Sequence, residues 1–519
     1  MYSNTKDREI MKIPELVAMG LYMLLVLGIG IYFFVKERKD SGSEKSYFLG
    51  GRMMNGWVSA LSAGASDMSA WVLMGLPGAI YLYGMGQVWI AIGLLIGTVT
   101  AWLAVAPALR RYSIVAGDAI TIPQFLTRRF CSDRKEIMVL SALVFVVTYC
   151  IYSAASLYVC GTLFKTVLGI DPQIAMIGST IIIVIYTFLG GFNAVCWTDF
   201  FQGLLMLAAL MLIPIACLGI MNLESFVAPA AQLPANYWNL LSSGKWDWKS
   251  ISDILMGLGW GLGYFGMPHI LIRYFSVKSE KEMRKSQIIG CTWFFLILLA
   301  SSAVGLVGRK YLGDLLTLKK DDNTLVFINM VRDVFDRAGE MTGVVTLCVF
   351  FAGIMLSAIL AAAMSTADSQ LLASSSAFTS DLYKPIIRKK ASEKEMLWAG
   401  RIIVIFISVV AFLIAASPQC RGLMALVSCA WGAFGAAFGP AILLALFWKR
   451  LTYWGAFAGI LAGFVVDILW YIFMQWTLIY EIIPGFLAGL AVAVIVSYLG
   501  KVPDQKVLDL FASSRKKIG

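Results

Sequence analysis

Three short stretches carry side chains that are chemically out of place in their surroundings. "LSAGASDMSAW", residues 61 to 71, sets the carboxylate of Asp67 among small residues that favour a broken backbone, inside a run long and apolar enough to cross a membrane. A carboxylate at that depth is costly unless it faces a cavity, an ion or a partner, so it marks a site. "GLGWGLGYFGMP", residues 257 to 268, places five glycines ahead of a proline and puts Trp260, Tyr264 and Pro268 at i, i+4 and i+8 on one helical face. Two amphipathic aromatics beside a kink make a wall for a small organic solute. "SAILAAAMSTADSQ", residues 357 to 370, brings Ala362, Ser365 and Thr366 to one face, with two hydroxyls where a carbonyl can join them. Hard monovalent cations take oxygen donors, and unwound carbonyls with hydroxyls are how broken membrane helices hold them. Each feature has an ordinary alternative: packing glycines, interfacial aromatics, hydroxyls bonded to their own backbone. Their coincidence in one chain is what points to a site.

The elements that must position these residues are membrane helices. Hydrophobic residues make up 59% of the 519 and charged residues 14%, and apolar runs of about 20 residues recur from end to end, the signature of a polytopic membrane protein. Thirteen spans are expected, at about 13 to 35, 55 to 82, 87 to 108, 136 to 168, 172 to 191, 198 to 222, 252 to 275, 286 to 308, 341 to 380, 397 to 416, 422 to 448, 453 to 473 and 479 to 499. The first is too long for a signal peptide, lacks a small-residue cleavage site and is followed by further spans. An odd number puts the termini on opposite sides. With the N-terminus outside, the inward segments hold 29 of the 42 Lys and Arg residues, including Lys36, Arg38, Lys39, Arg52, Arg128, Arg129, Arg273, Lys389 and Lys517. The positive-inside rule therefore favours an outer N-terminus and a cytoplasmic C-terminus, and makes the net charge of +11 a matter of topology rather than nucleic-acid binding. The longest polar stretches, about 223 to 251 and 309 to 340, fall outside, the second mixing "KKDDN" with an amphipathic "FINMVRDVFDRAG". The whole chain, 1 to 519, reads as one transmembrane domain, its tail after Gly500 being too short for another.

The two Gly-broken spans lie five apart, the second and the seventh. That spacing fits an inverted repeat in which helices 2 to 6 are mirrored by 7 to 11 and the site lies where the broken helices meet near the midplane. Several classes are excluded. Nine cysteines without a CxxC pair and a single histidine, His269, support neither a disulfide scaffold nor a zinc site. His269 is expected to pack or cap near an inner helix end. "LGIGIYF" in the first span has neither the strand nor the acidic partner of a dinucleotide site. No paired catalytic groups suggest an enzyme, and no ring of pore charges suggests a channel. Asp368 and Asp467 are further intramembrane carboxylates, the latter without a motif.

With these residues in view, the chain resembles the sodium/solute symporter family, most closely its sodium/proline symporters. The stretches "YFLGGR", "SALSAGASDMS", "WVLMGLPGA", "GGFNAVCWTDFFQG", "GWGLGYFG", "PHIL", "LSAILAAAMST", "SSSAFTSDLYK" and "WGAFGAAFGP" resemble that group's motifs in order, from about Tyr47 to Gly485. The resemblance implies an all-α polytopic protein of the leucine-transporter type. Its five-plus-five core would span about 47 to 450, with peripheral helices at 13 to 35, 453 to 473 and 479 to 499. It implies a sodium site built from the carbonyls of Ala65, Met68 and Ala362 with the hydroxyls of Ser365 and Thr366. Asp67 and Ser69 match positions needed for sodium-coupled binding. Tyr152, Trp260, Tyr264 and Pro268 match the proline pocket, and Asp199 a position on the cation's path to the cytoplasm. Two residues depart from the pattern: Ala70 stands where a glycine follows "SDMS", and Met267 where a glutamine precedes "PH". The first stiffens the break and the second removes an amide near the pocket.

The function implied is secondary active symport across the bacterial cytoplasmic membrane, with sodium and a small amino acid, L-proline foremost, entering by alternating access. No enzyme activity, organic cofactor or nucleic-acid partner is expected. The alternatives are a sodium symporter of the same fold for another small solute, such as pantothenate, a monocarboxylate or a sugar, and a proton-coupled amino-acid transporter with Asp67 as the carrier.

Overall fold

The computed structural model describes residues 13–37, 44–223, 226, 229, 232–317, 322–420 and 422–516. Part of the "KKDDN" stretch and the inward charges Arg38, Lys39 and Lys517 lie outside them. The described residues are helical apart from connecting segments and one isolated bridge, Met54 to Val277.

Among the described residues, ten helices are each long and apolar enough to cross a membrane: α1 (Ile13–Glu37), α3 (Met85–Val115), α4 (Glu136–Leu168), α6 (Gly191–Met221), α8 (Glu280–Leu312), α9 (Val345–Ala377), α10 (Glu393–Ala416), α11 (Leu423–Phe447), α12 (Tyr453–Phe473) and α13 (Ile482–Leu499). The other three expected spans are present in less regular form, so the count of thirteen is approximate. The shorter α5 (Pro172–Ile185) precedes α6, and Gly191 marks a kink at φ 57°, a backbone that favours glycine. The second and seventh spans are broken. The first of these divides into α2a (Gly56–Asp67) and α2b (Gly75–Tyr83), and the other into α7a (Trp248–Phe265) and α7b (Pro268–Ser276), bent by 45°.

Local chemistry explains both breaks. In α2a the Asn55 side chain caps the start by accepting from the Val58 amide at 2.9 Å, and the helix ends at Asp67. Ser69 then turns the chain, its hydroxyl accepting from the Trp71 amide at 3.4 Å. In the seventh span the helix tightens to 3-10 geometry over Trp260–Phe265, extends at Met267, and restarts with Pro268 at the first helical position, where no donor is lost.

The glycine run in α7a serves chiefly close approach. A Cβ on Gly93 or Gly97 of α3 would lie 2.1 Å from the Gly257 carbonyl or 2.3 Å from that of Gly261. On the other side, a Cβ on Gly263 would meet the Trp431 ring of α11 at 2.0 Å. The broken segment is thus clamped between α3 and α11.

Loops gather at two ends as the topology requires. At the basic end the Met54 amide bonds the Ser276 carbonyl at 3.1 Å, and Arg110 donates to the Val277 and Lys278 carbonyls. At the other end the backbone of Asn323 lies over Gly78 of α2b, and the Met85 amide bonds the Tyr237 carbonyl at 2.7 Å. The amphipathic "FINMVRDVFDRAG" forms a helix over Val326–Thr342, and the tail forms a short one over Gln505–Ser513 that packs Phe511 against Arg129. No disulfide joins any of the nine cysteines.

Candidate functional site

The break after α2a frees backbone oxygens. The amide four residues after Ala65 belongs to Ser69 and bonds the Asp67 carbonyl instead, at 2.8 Å. The amide four residues after Met68 belongs to Val72 and bonds the Ser69 carbonyl at 3.1 Å. The Ala65 and Met68 carbonyls therefore lack their helical donors in a fully buried position, a state that calls for another partner.

Helix α9 brings oxygens to the same place. The Ser365 hydroxyl lies 2.9 Å from the Ala65 carbonyl and 3.2 Å from the Ala362 carbonyl, so it links a carbonyl oxygen of each helix. The Thr366 hydroxyl, one residue on, is buried with no hydrogen-bond partner. An orphaned buried hydroxyl on the residue after Ser365, which bonds a freed carbonyl, fits a small oxygen-seeking cation, and the absence of thiol or imidazole from this set argues against a softer metal.

Asp67 joins the two broken helices. Its Oδ2 accepts from the Tyr264 hydroxyl at 2.6 Å, while Oδ1 is buried with no partner; the residue is only 1% exposed. A bond of this length is at the short end for a hydroxyl donor and an oxygen acceptor. Behind Tyr264 the wall is aromatic. Trp260 stacks on Trp71 with ring centres 5.9 Å apart and lies 5.3 Å from Tyr480; Tyr264 packs edge-on against Trp431 at 5.3 Å. Trp431 Nε1 donates to the Trp260 carbonyl at 2.7 Å, fixing the 3-10 turn. Tyr152 of α4 is buried with its hydroxyl unpartnered, and Ser69 and Pro268 flank the two breaks. His269 lies in the first turn of α7b rather than near an inner helix end, with Nδ1 3.3 Å from the Tyr149 hydroxyl.

Asp199 of α6 belongs to a buried network centred on Arg273, which the charge count places in an inward segment. Arg273 is 1% exposed. Its guanidinium donates to Asp199 Oδ2 at 3.0 Å, the Ser369 hydroxyl at 2.5 Å, the Ser62 hydroxyl at 2.9 Å and the His269 carbonyl at 2.6 Å. Ser62 donates in turn to Asp199 Oδ2 at 2.7 Å, and Ser369 lies 3.2 Å from Asp368. The network ties α2a, α6, α7b and α9 together on the side of the site nearer the basic end. An arginine inside the apolar run "PHILIRYF" was the available signal.

A second latch closes the basic end. Arg52 donates to Asp118 Oδ1 at 2.8 Å and to the Phe275 and Ala119 carbonyls, and Lys45 also bonds Asp118. Burial alone would raise the Asp118 carboxyl, but Lys45 and Arg52 outweigh it and hold the group below its ordinary range. Beside this latch is a cavity of about 550 Å³ lined by Arg128, Arg134, Lys135, Lys384 and Lys389.

Comparison with known proteins finds relatives over nearly the whole chain. Residues 47–463 match the model of the sodium:solute symporter family. The osmoregulated proline transporter OpuE of Bacillus subtilis is 38% identical over 509 residues, covering 98% of this chain and 99% of that one. The high-affinity proline transporter PutP of the same organism is 40% identical over 482 residues, covering 93% and 98%. The sodium/proline symporter of Escherichia coli is 39% identical over 505 residues, covering 96% of each. Among solved structures, an outward-open Na+-coupled sialic acid symporter superimposes with a TM-score of 0.74 at 19% identity, over 95% of this chain and 99% of that one.

Proposed function

Because the chain belongs to the sodium:solute symporter family, with the all-helical leucine-transporter-type fold, we propose that it imports L-proline together with sodium by alternating access. It is a multi-pass membrane protein and not an enzyme. The names of its relatives point to proline as cargo and to sodium as the coupling ion. The observation that carries the mechanism is the meeting of α2a and α9 through the Ala65 carbonyl and the Ser365 hydroxyl, beside the orphaned Thr366 hydroxyl.

In this reading sodium is held by the carbonyls of Ala65, Met68 and Ala362 and the hydroxyls of Ser365 and Thr366. Binding there fixes the end of α2a, and with it Asp67. Through the 2.6 Å bond from Tyr264, Asp67 sets the aromatic wall on the other broken helix. Each ligand therefore raises the affinity for the other, as linkage requires. Trp260, Tyr264, Tyr152 and Pro268 form the proline pocket, with Ser69 at its edge. Asp199 receives sodium on its way to the cytoplasm once the Arg273 network opens.

The membrane is the bacterial cytoplasmic membrane, with the N-terminus outside and the basic end, holding the Arg52–Asp118 latch, facing the cytoplasm. A tenfold sodium gradient supplies about 1.4 kcal/mol. A potential of about 100 mV adds about 2.3 kcal/mol for one charge. Together they support roughly 500-fold accumulation with one ion per substrate. Ala70 and Met267, both buried at the breaks, are the positions at which cargo choice is tuned. The test is uptake in proteoliposomes against a panel of amino acids, pantothenate, monocarboxylates and sugars. Proline uptake driven by a sodium gradient is expected; uptake driven by a pH gradient without sodium would replace this reading with proton coupling.

A further inference from the structure

Asp467 and Glu481 are two further intramembrane acidic residues. Asp467 is on α12 and is fully buried, with both carboxylate oxygens lacking any hydrogen-bond partner. Glu481 immediately precedes α13, is 8% exposed, and its Oε1 is likewise unpartnered. The two converge on α11. A Cβ placed on Gly432 would lie 2.8 Å from Asp467 Oδ1 and 3.3 Å from Glu481 Cγ, so both acidic side chains reach the same point where α11 carries no side chain.

Nothing nearby balances them. Among the described residues no Lys, Arg or His forms an ion pair with either. The donors on the adjoining residues are committed elsewhere: the Tyr480 hydroxyl to the Ser428 carbonyl at 2.9 Å and Trp431 Nε1 to the Trp260 carbonyl at 2.7 Å. Buried carboxylates without donors or counter-charge persist only when something positive joins them. A proton on each carboxyl removes both charges but leaves most of the acceptor oxygens unpaired. A cation between them satisfies several acceptor oxygens at once, and a divalent one also neutralises both charges.

We infer that Asp467 and Glu481, facing each other across Gly432, form a second binding site for a hard, oxygen-seeking cation, separate from the oxygens of α2a and α9. Carboxylate oxygens suit sodium and calcium alike. The site lies behind the aromatic wall: Trp431 and Tyr480, the immediate chain neighbours of Gly432 and Glu481, both pack on Trp260. An ion here braces the outer face of the wall, whatever the cargo.

The test measures binding of radioactive sodium and, separately, calcium to purified protein in nanodiscs, with monodispersity checked for each variant. The background is the variant Ser365→Ala with Thr366→Ala, which removes the hydroxyls of the other site. That protein is expected to retain one saturable ion, and whichever isotope binds identifies the cation. Adding the near-isosteric Asp467→Asn should abolish the remaining binding, and adding Glu481→Gln should weaken it at least tenfold. Absence of saturable binding of either ion in the background variant, or residual binding untouched by both acidic substitutions, overturns the inference. Wild-type binding that Asp467→Asn leaves intact but the hydroxyl substitutions remove would overturn it while leaving the proposed transport mechanism standing.

Discussion

Replacing Arg273 by Met should destabilise the protein far more than replacing Arg273 and Asp199 together. In the native protein Asp199 is fully buried; its Oδ2 is held by Arg273 and Ser62 and its Oδ1 has no partner. Arg273→Met keeps most of the side-chain volume but leaves that carboxylate with one hydroxyl donor. Stranding one member of a buried ion pair costs about 3–5 kcal/mol, a large part of a typical net stability of about 5–15 kcal/mol. Adding Asp199→Asn removes the stranded charge, so the double variant should recover at least about 1.5 kcal/mol relative to the sum of the single effects, a coupling in the range expected for neighbouring charged groups. The assay is thermal melting of detergent-solubilised protein by fluorescence-detected gel filtration, run as a double-mutant cycle. Sodium-driven uptake should be lost in the double variant even where its melting recovers, because Asp199 is then no longer an anionic stop for the ion. A coupling energy near zero would refute the argument that these groups stabilise each other, and full uptake by the recovered double variant would remove Asp199 from the ion's path.

Trp260→Ala should raise the proline KM tenfold or more, since losing a buried aromatic contact costs about 2 kcal/mol, while sodium dependence survives; an unchanged KM would move the pocket elsewhere. Asp67→Asn should raise the sodium concentration for half-maximal uptake far more than it weakens proline binding at saturating sodium, and Asp67→Glu should retain part of the function. An unshifted sodium half-point in the Asn variant would contradict the role given to Asp67. Gly263→Ala should lower the melting temperature and transport together, because its Cβ would fall 2.0 Å from Trp431 Nε1 and overpacking of this kind costs about 1–3 kcal/mol. Gly28→Ala, with nothing within 4 Å of the new Cβ, should be neutral or slightly stabilising in the same melting assay.

Much of the site was legible because helical periodicity is local. Ser365 and Thr366 could be read as sharing a face with Ala362, and the structure turns that face to the α2 break. The glycine run before Pro268 marked the seventh span correctly as broken, yet Gly257, Gly261 and Gly263 serve close contacts with α3 and α11. Sequence cannot distinguish a glycine that bends a helix from one that lets a neighbour in, because that depends on elements distant in the chain. The partners of Arg273 were out of reach for the same reason. Charge counts assign arginines to surfaces, whereas Ser62, Asp199 and Ser369 lie on three other helices and meet Arg273 only after folding. The Asp67–Tyr264 bond also spans 197 positions, so each residue could be singled out alone but not as a pair.

The central claim is that sodium binds the oxygens shared by α2a and α9 and thereby drives proline uptake. It is tested most directly by titrating initial proline uptake against external sodium in proteoliposomes containing the wild type or the variant Ser365→Ala with Thr366→Ala. Two of the five proposed oxygen ligands are lost in that variant, and a methyl group offers a hard cation nothing. The account predicts a saturable sodium dependence in the wild type and no sodium stimulation in the double variant, with protein of equal abundance and monodispersity. A double variant that keeps the wild-type sodium half-point would contradict it.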